Sequence, residues 1–383
     1  MLKNLRTAVQ EIEISGIRTF NNRVAGIPDM IRLTLGEPDF PTPDHVKVAA
    51  IDAINDDFTN YTPNAGTPEL LQAASHYFYD KYDLSYSTKE IIVTVGATEA
   101  ISIALQTILE AGDEVLLPDP IYPGYEPLIH LMGAAPIKID TTETAFKLTA
   151  EQLRAAITPK TKALILPYPS NPTGVTLTAA ELGEIADVVR ETGIFVIADE
   201  IYSELTFFGT HTSIATMIRD QTIVINGLSK SHAMIGWRIG FLMAPEAITS
   251  QMLKVHQYSV TCASSISQKA AEEALINGKD DAVQMRTEYN TRAGFVQERL
   301  NKMGFSIIEP DGAFYFFAKL PDQITQNSFD WAIELAENAK VAVVPGSAFS
   351  EKGDRYFRLS FAASFSQLAE AMDRMATFME KYA

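Results

Sequence analysis

The chain has a single cysteine, Cys262, in 383 residues, which excludes an internal disulfide framework and any CxxC metal or redox motif. A buried thiol with no chemical role is the expectation for it. Cations are scarce as well, since 31 Lys and Arg face 48 Asp and Glu and leave a formal charge of −17. A polyanion is gripped by a concentrated basic surface, so no nucleic-acid partner is expected. Long apolar runs are missing: Ile194-Phe195-Val196-Ile197-Ala198 falls far short of the ~18 residues a membrane-spanning helix needs. The segment from Met1 to Thr7 runs straight into Glu11 and Glu13 with no apolar core or cleavage site. These absences give the expectation of a soluble, cytoplasmic protein without a membrane partner.

Common chemical motifs are absent too. No GxGxxG follows a strand, and neither GxxxxGK[ST] nor GxSxG occurs. His45, His76, His130, His211, His232 and His256 are scattered without ligand spacing, so no metal is expected.

What is present is a chain able to build a core, with 46% hydrophobic and 21% charged residues. At roughly 150 residues per domain, its length predicts two domains. From about Glu90 onward, short apolar runs alternate with helix-period stretches, the pattern of βα units around a largely parallel sheet. Buried strands are predicted at Ile91–Val95, Glu114–Leu117, Lys162–Leu166, Ile194–Asp199, Thr222–Asn226 and Arg238–Leu242. Helices are predicted over Glu99–Leu109 and Ala179–Arg190. A long helical region from Pro245 to Lys302 precedes a second, smaller α+β pattern. Its strands are predicted at Phe305–Ile308, Ala313–Phe317, Val341–Val344 and Tyr356–Phe361, and its helices near Ser328–Ala339 and Ser366–Tyr382. The Pro-rich Gly36-Glu37-Pro38-Asp39-Phe40-Pro41-Thr42-Pro43 cannot be a regular helix and reads as an ordered crossing strap.

The residues that can carry chemistry stand at predicted strand ends, where open α/β sheets place their ligands. Lys230 and Arg238 lie in Asn226-Gly227-Leu228-Ser229-Lys230-Ser231-His232-Ala233-Met234-Ile235-Gly236-Trp237-Arg238. A lysine just beyond a buried strand is desolvated, which frees its amine for imine chemistry. Arg238, between glycines and aromatics, can clamp a phosphate. Spacing alone supports a surface lysine and a structural arginine equally well. Asn171, in Pro169-Ser170-Asn171-Pro172-Thr173-Gly174, reads as a turn residue. Asp199 reads as a helix N-cap or as a site residue; an aspartate ending an apolar strand needs a cationic partner.

Taken together and in this order, these motifs resemble the pyridoxal-phosphate aminotransferases of fold type I. The resemblance covers the whole chain, from Gly36-Glu37-Pro38-Asp39-Phe40 through Asn60-Tyr61-Thr62-Pro63-Asn64-Ala65-Gly66 and the lysine motif to Arg358-Leu359-Ser360. Glu11-Ile12-Glu13-Ile14-Ser15-Gly16-Ile17-Arg18, Tyr168–Leu177 and Asp220–His232 are similar to the Gram-positive N-acetyl-L,L-diaminopimelate and aromatic aminotransferase group. The resemblance implies an α/β fold with a large cofactor domain, residues 46–290. It also implies a small domain made of residues 1–45 and 291–383.

By the same resemblance Lys230 is the Schiff-base lysine and proton carrier, and Asp199 pairs with the pyridine nitrogen of pyridoxal 5′-phosphate. Asn171 and Tyr202 bond its phenolic oxygen, and Tyr122 stacks on its ring. Ala97, Thr98, Ser229 and Arg238 hold the phosphate, with Tyr61 reaching it from the neighbouring subunit of a homodimer. Arg358 and Gly36 receive the substrate α-carboxylate. Gly227 departs from relatives with a second serine there, which removes one expected phosphate donor. The implied activity is ping-pong exchange of an amino group between an amino acid and a 2-oxo acid such as 2-oxoglutarate. The same lysine and carboxylate clamp would also serve a lyase cleaving C–S bonds of cystathionine-like substrates. An aminotransferase-like regulator would need a DNA-binding domain for which no residues remain. For the substrate side chain, Tyr125, Phe20, Ile17 and Phe314 could line an apolar pocket for aromatic donors, whereas Arg18, Arg23 and Arg32 could meet a distal carboxylate.

Overall fold

The structure, a computed structural model, describes residues 5–382. Strand β1 (Ile31–Arg32) follows the helix Gly16–Val24. The next seven strands are β2 (Ile91–Thr94), β3 (Glu114–Asp119), β4 (Ala135–Asp140), β5 (Thr161–Leu166), β6 (Phe195–Asp199), β7 (Thr222–Gly227) and β8 (Gly240–Met243). They form one sheet in the order β2-β8-β7-β6-β5-β3-β4. Only β8 runs against the rest, pairing antiparallel with both β2 and β7. Every residue of β2, β7 and β8 is buried, as expected where helices cover both faces of a sheet. β4 escapes sequence prediction because it is a half-exposed edge strand with Pro136 and Lys138 rather than an apolar run.

Three further strands, β9 (Tyr315–Lys319), β11 (Val344–Pro345) and β12 (Tyr356–Ser360), make a small sheet in the order β11-β12-β9. The intervening β10 (Val341–Ala342) pairs instead with β1 in parallel. The single strand expected over Val341–Val344 is therefore divided between two sheets. Phe305–Ile308 is not a strand: it meets β9 only at the bridge Ser306–Lys319. The long helical region resolves into Glu246–Ser259, Ser265–Ile276 and Ala282–Lys302.

Met285, Tyr289, Val296 and Leu300 on the last of these helices join Phe316, Phe357 and Trp331 in one core cluster. The position 290 at which the two units were expected to part thus falls inside a continuous helix. A separate cluster of Val93, Val224, Phe241, Leu70 and Phe78 fills one side of the large sheet. Among the described residues no helix is long and apolar enough to cross a membrane. Cys262 is half-buried.

Candidate active site

The parallel strands of the large sheet end on one edge, and β8, running the other way, begins there. Turns from that edge carry Ala97 and Thr98 after β2, Tyr122 after β3, Asn171 after β5, Tyr202 after β6, and Ser229 and Lys230 after β7; Arg238 precedes β8. Together with Asp199, Gly36 and Arg358 they line one cavity of about 350 Å³. Eleven of the twelve residues that the resemblance assigns to the cofactor and the substrate α-carboxylate are thus brought to one place. Tyr61 is not in it; it stands on the surface, 88% exposed. Its loop is tied down by Gln268, whose side chain donates to Thr62 Oγ1 at 2.9 Å and accepts from the Thr67 N–H at 2.8 Å.

At one end of the cavity the 12-residue helix Ala97–Ile108 begins at Gly96, with no side-chain cap. Gly96 has φ +80°, and a Cβ there would lie 2.5 Å from Arg238 Nη2. Only glycine lets the guanidinium sit against this turn. Arg238, itself left-handed at φ 56°, is exposed and donates to the Ile235 carbonyl at 3.1 Å. Ser229 is buried beside it. An uncapped helix start, a hydroxyl and a cation whose own bond goes to a carbonyl form a site for a phosphate dianion. The missing second serine has a local cause: a Cβ at Gly227 would come within 2.9 Å of the Ile239 carbonyl oxygen.

Across the cavity, Arg358 on the central strand of the small sheet is only 2% exposed. Its Nη1 donates to Asn171 Oδ1 at 2.9 Å and its Nη2 to the Thr34 carbonyl at 2.7 Å, while Nε has no partner. The guanidinium packs 4.4 Å from the Tyr315 ring centroid and 5.0 Å from that of Phe349. Neither hydrogen-bond partner is an acid, and burial lowers the proton affinity of the group. A buried guanidinium with neutral partners is completed by a carboxylate from outside the chain.

Between these ends lies Lys230, whose ammonium donates to the Gly36 carbonyl. Burial first, then the charges of Arg358 and Arg238, push its pKa down to about 8, against the opposing pull of Glu37 and Asp199. The carboxylate of Asp199 accepts from Tyr125 OH at 2.7 Å and from the Ile201 N–H at 3.2 Å. Burial raises its pKa despite these bonds, so it favours a cationic or N–H partner. Tyr202 OH and Tyr315 OH share a hydrogen bond of 2.8 Å, and burial raises the pKa of both.

Tyr125, one of the residues considered for an apolar side-chain pocket, is on the cavity wall, and its hydroxyl orients Asp199. Phe20 and Phe314 are core residues with no exposed surface and are absent from the cavity wall, whereas Ile17 is on it. Of the three arginines considered for a distal carboxylate, Arg23 faces Glu337 at 4.0 Å and Arg32 donates to the Ala25 carbonyl at 3.3 Å. Tyr315, Thr34 and Asn21 line the cavity although sequence reasoning missed them. Tyr315 had no signal, standing in an apolar run, and Asn21 had only its position one helical turn after Ile17.

The site's residues fit pyridoxal 5′-phosphate, with an anion cradle at one end, a carboxylate facing the ring nitrogen's expected place and an amine between. Residues 28–375 match the family Aminotransferase class I and II. The chain is 56% identical to the probable N-acetyl-LL-diaminopimelate aminotransferase of Bacillus subtilis, covering 98% of this chain and 96% of that protein. It is 42% identical to an aspartate aminotransferase of Pyrococcus abyssi over 94% of each. The crystal structure of the aromatic aminotransferase from Pyrococcus horikoshii superposes with a TM-score of 0.89 at 39% identity, covering 94% of this chain and 99% of that one. The chain belongs to the class I and II aminotransferase family.

Proposed function

We propose that this aminotransferase is a cytoplasmic homodimer that uses pyridoxal 5′-phosphate. It moves the amino group of N-acetyl-L,L-diaminopimelate or an aromatic amino acid to a 2-oxo acid such as 2-oxoglutarate. The observation that carries this reading is the cavity itself, in which the buried, acid-free Arg358 faces Lys230 and Asp199. When bound, the cofactor supplies a carbonyl to take up the amino group and a ring to spread the electron pair left on Cα.

The chain's own residues do the rest. Arg358 takes the substrate α-carboxylate bidentately, which lysine cannot copy, and Gly36 borders that group. Lys230, with its amine about half deprotonated at pH 8, moves the proton on and off Cα. Asp199, fixed by Tyr125 and the Ile201 N–H, holds a proton on the ring nitrogen. Asn171 offers its Oδ1 to Arg358, which leaves its Nδ2 to join Tyr202 on the phenolic oxygen. Ala97, Thr98, Ser229 and Arg238 hold the phosphate while Tyr122 covers the ring face. Tyr61, exposed on one protomer, reaches the phosphate of the other.

Residues 46–290 form the cofactor unit in this reading, and residues 1–45 with 291–383 form the unit carrying Arg358. Substrate bridging Lys230 and Arg358 draws the two together. Borohydride trapping of the purified protein followed by peptide mapping should mark Lys230, and the protein should be yellow. A colourless protein without that mark would overturn the cofactor assignment. A donor panel with 2-oxoglutarate should give swapped amino groups. Pyruvate and ammonia from cystathionine, with no swapped group, would make it a C–S lyase.

A further inference from the structure

Tyr315 opens β9 and has no exposed surface. β9 pairs antiparallel with β12, with Phe317 opposite Arg358 and Tyr315 opposite Ser360. Residues two apart on a strand share a face, so Tyr315 and Arg358 are diagonal neighbours on the same face of the small sheet. The Arg358 guanidinium accordingly stands 4.4 Å from the Tyr315 ring centroid. The Tyr315 hydroxyl meets Tyr202 OH at 2.8 Å and lies beside the strap at Gly36, where a Cβ would stand 3.1 Å from it. One side chain thus touches the carboxylate clamp, the strap and the tyrosine expected on the phenolic oxygen.

The direction of the bond between the two tyrosines follows from their protons. Each hydroxyl has one to give, and among the described residues no other hydrogen bond reaches either of them. If Tyr202 donated, the Tyr315 proton would be left without an acceptor in a fully buried place, which is destabilising. With Tyr315 as donor nothing is orphaned, since Tyr202 accepts and its own proton is left for the cavity, whose wall it forms. Charge favours the same direction. Burial raises the pKa of Tyr315, but the Arg358 charge and the bond to Tyr202 pull it back. At Tyr202, burial and then Tyr315 both raise it. Tyr315 is the stronger acid of the two and therefore the better donor.

We propose that Tyr315 is a positioning residue for the transfer reaction, whose hydroxyl donates to Tyr202 and so aims the Tyr202 proton at the cofactor's phenolic oxygen. This inference rests on the pyridoxal 5′-phosphate reading and adds to it a residue that no sequence motif marks. Tyr315 acts through Tyr202, because it has no surface of its own from which to meet a ligand. A donor that is itself a hydrogen-bond acceptor is polarised by the bond it receives. Tyr202 therefore stabilises the phenolic anion better than an isolated tyrosine would.

The test follows the visible spectrum of the dialysed holoenzyme as pH is raised, which reports the proton held between the Lys230 nitrogen and the phenolic oxygen. Tyr315→Phe keeps the ring over Arg358 and removes only the hydroxyl. A less stabilised phenolic anion holds that proton more tightly, so the midpoint of the colour change should rise by about 0.5–1 pH unit, the size of one neutral hydrogen bond. Tyr202→Phe should raise it further than Tyr315→Phe does. Adding Tyr315→Phe to Tyr202→Phe should then move the midpoint by less than about 0.3 unit more, because the route through Tyr202 is gone. A merely loosened core would add the same effect in both backgrounds. Only cofactor-loaded protein contributes to the spectrum, so unfolded material does not enter the midpoint. The inference is overturned if Tyr315→Phe moves the midpoint by less than about 0.3 unit, or moves it equally with and without the Tyr202 hydroxyl. If the protein takes up no pyridoxal 5′-phosphate, the cofactor reading itself falls.

Discussion

Arg358 and Arg238 stand at opposite ends of one cavity and are built in opposite ways. Arg358 lies on the central strand of the small sheet, buried between two aromatic rings and fixed by Thr34 and Asn171. Arg238 is exposed on a left-handed turn, its guanidinium against a glycine. A desolvated guanidinium with a free Nε gains much from an arriving carboxylate, because water no longer competes. An exposed one shares its anion with solvent, with the helix start at Ala97 and Thr98, and with Ser229. The substrate end is thus expected to concentrate its binding energy in one side chain. The cofactor end is expected to spread it over several.

The largest effect should come from Arg358→Lys, which keeps the charge but loses the fork. Its kcat/KM for every amino donor should fall by about 10²-fold or more, with the dissociation constant of the cofactor unchanged. Steady-state kinetics beside a cofactor titration would check this. An equal loss from Arg238→Gln would break the contrast between the two ends.

A smaller effect is expected at the cofactor end. Arg238→Gln should weaken cofactor binding about tenfold, since one exposed charge-assisted contact is lost. Gly96→Ala should do the same in part, because its Cβ would displace the guanidinium from 2.5 Å away. That variant should also lose roughly 1 kcal/mol or more of stability from a positive φ that alanine resists, read as a drop in Tm.

The smallest effect concerns the amine between the two ends. Acylation of Lys230 in the apoenzyme, followed by peptide mapping, should rise roughly fivefold from pH 7 to pH 8 and level off above it, as a pKa of about 8 requires. An ordinary lysine would keep climbing toward 10.5. The unfolded chain keeps that proton up to 10.5, so Lys230 weakens the fold below pH 8 and ceases to do so as pH rises from 8 to 10.5. Burial is the main cause of the depression and Arg358 outranks Arg238 among the cations. Arg358→Gln should therefore raise the midpoint more than Arg238→Gln does, and the reverse order would contradict the electrostatic picture of the site.

Much of the large sheet was legible because its strands are short, fully buried apolar runs, such as Ile91–Thr94 and Thr222–Gly227. Their polar end residues, Asp199 and the Ser229-Lys230 pair, stood out against that background. Legibility failed where burial and sequence pattern part company. Edge strand β4 is half-exposed and holds a proline. Phe305 is buried by packing against Trp331 and Phe357 without strand pairing around it. Tyr315 resembles any other aromatic of its strand until its hydroxyl is seen bonded to Tyr202.

Sequence alone determined the family, the α/β class and the residue types that could bind an amine, a carboxylate and a phosphate, because each requires a distinct side chain at a strand end. Tertiary structure decided which of those residues work together. Arg358 comes within hydrogen-bond reach of Asn171, 187 positions away, only because two sheets pack across one cleft. Tertiary structure also separated three similar arginines, leaving Arg18 exposed and, among the described residues, outside any ion pair, while Arg23 faces Glu337 and Arg32 bonds the Ala25 carbonyl. The physical reason is that burial and partner choice depend on three-dimensional neighbours, and these set both the cost of a charge and the chemistry it can do.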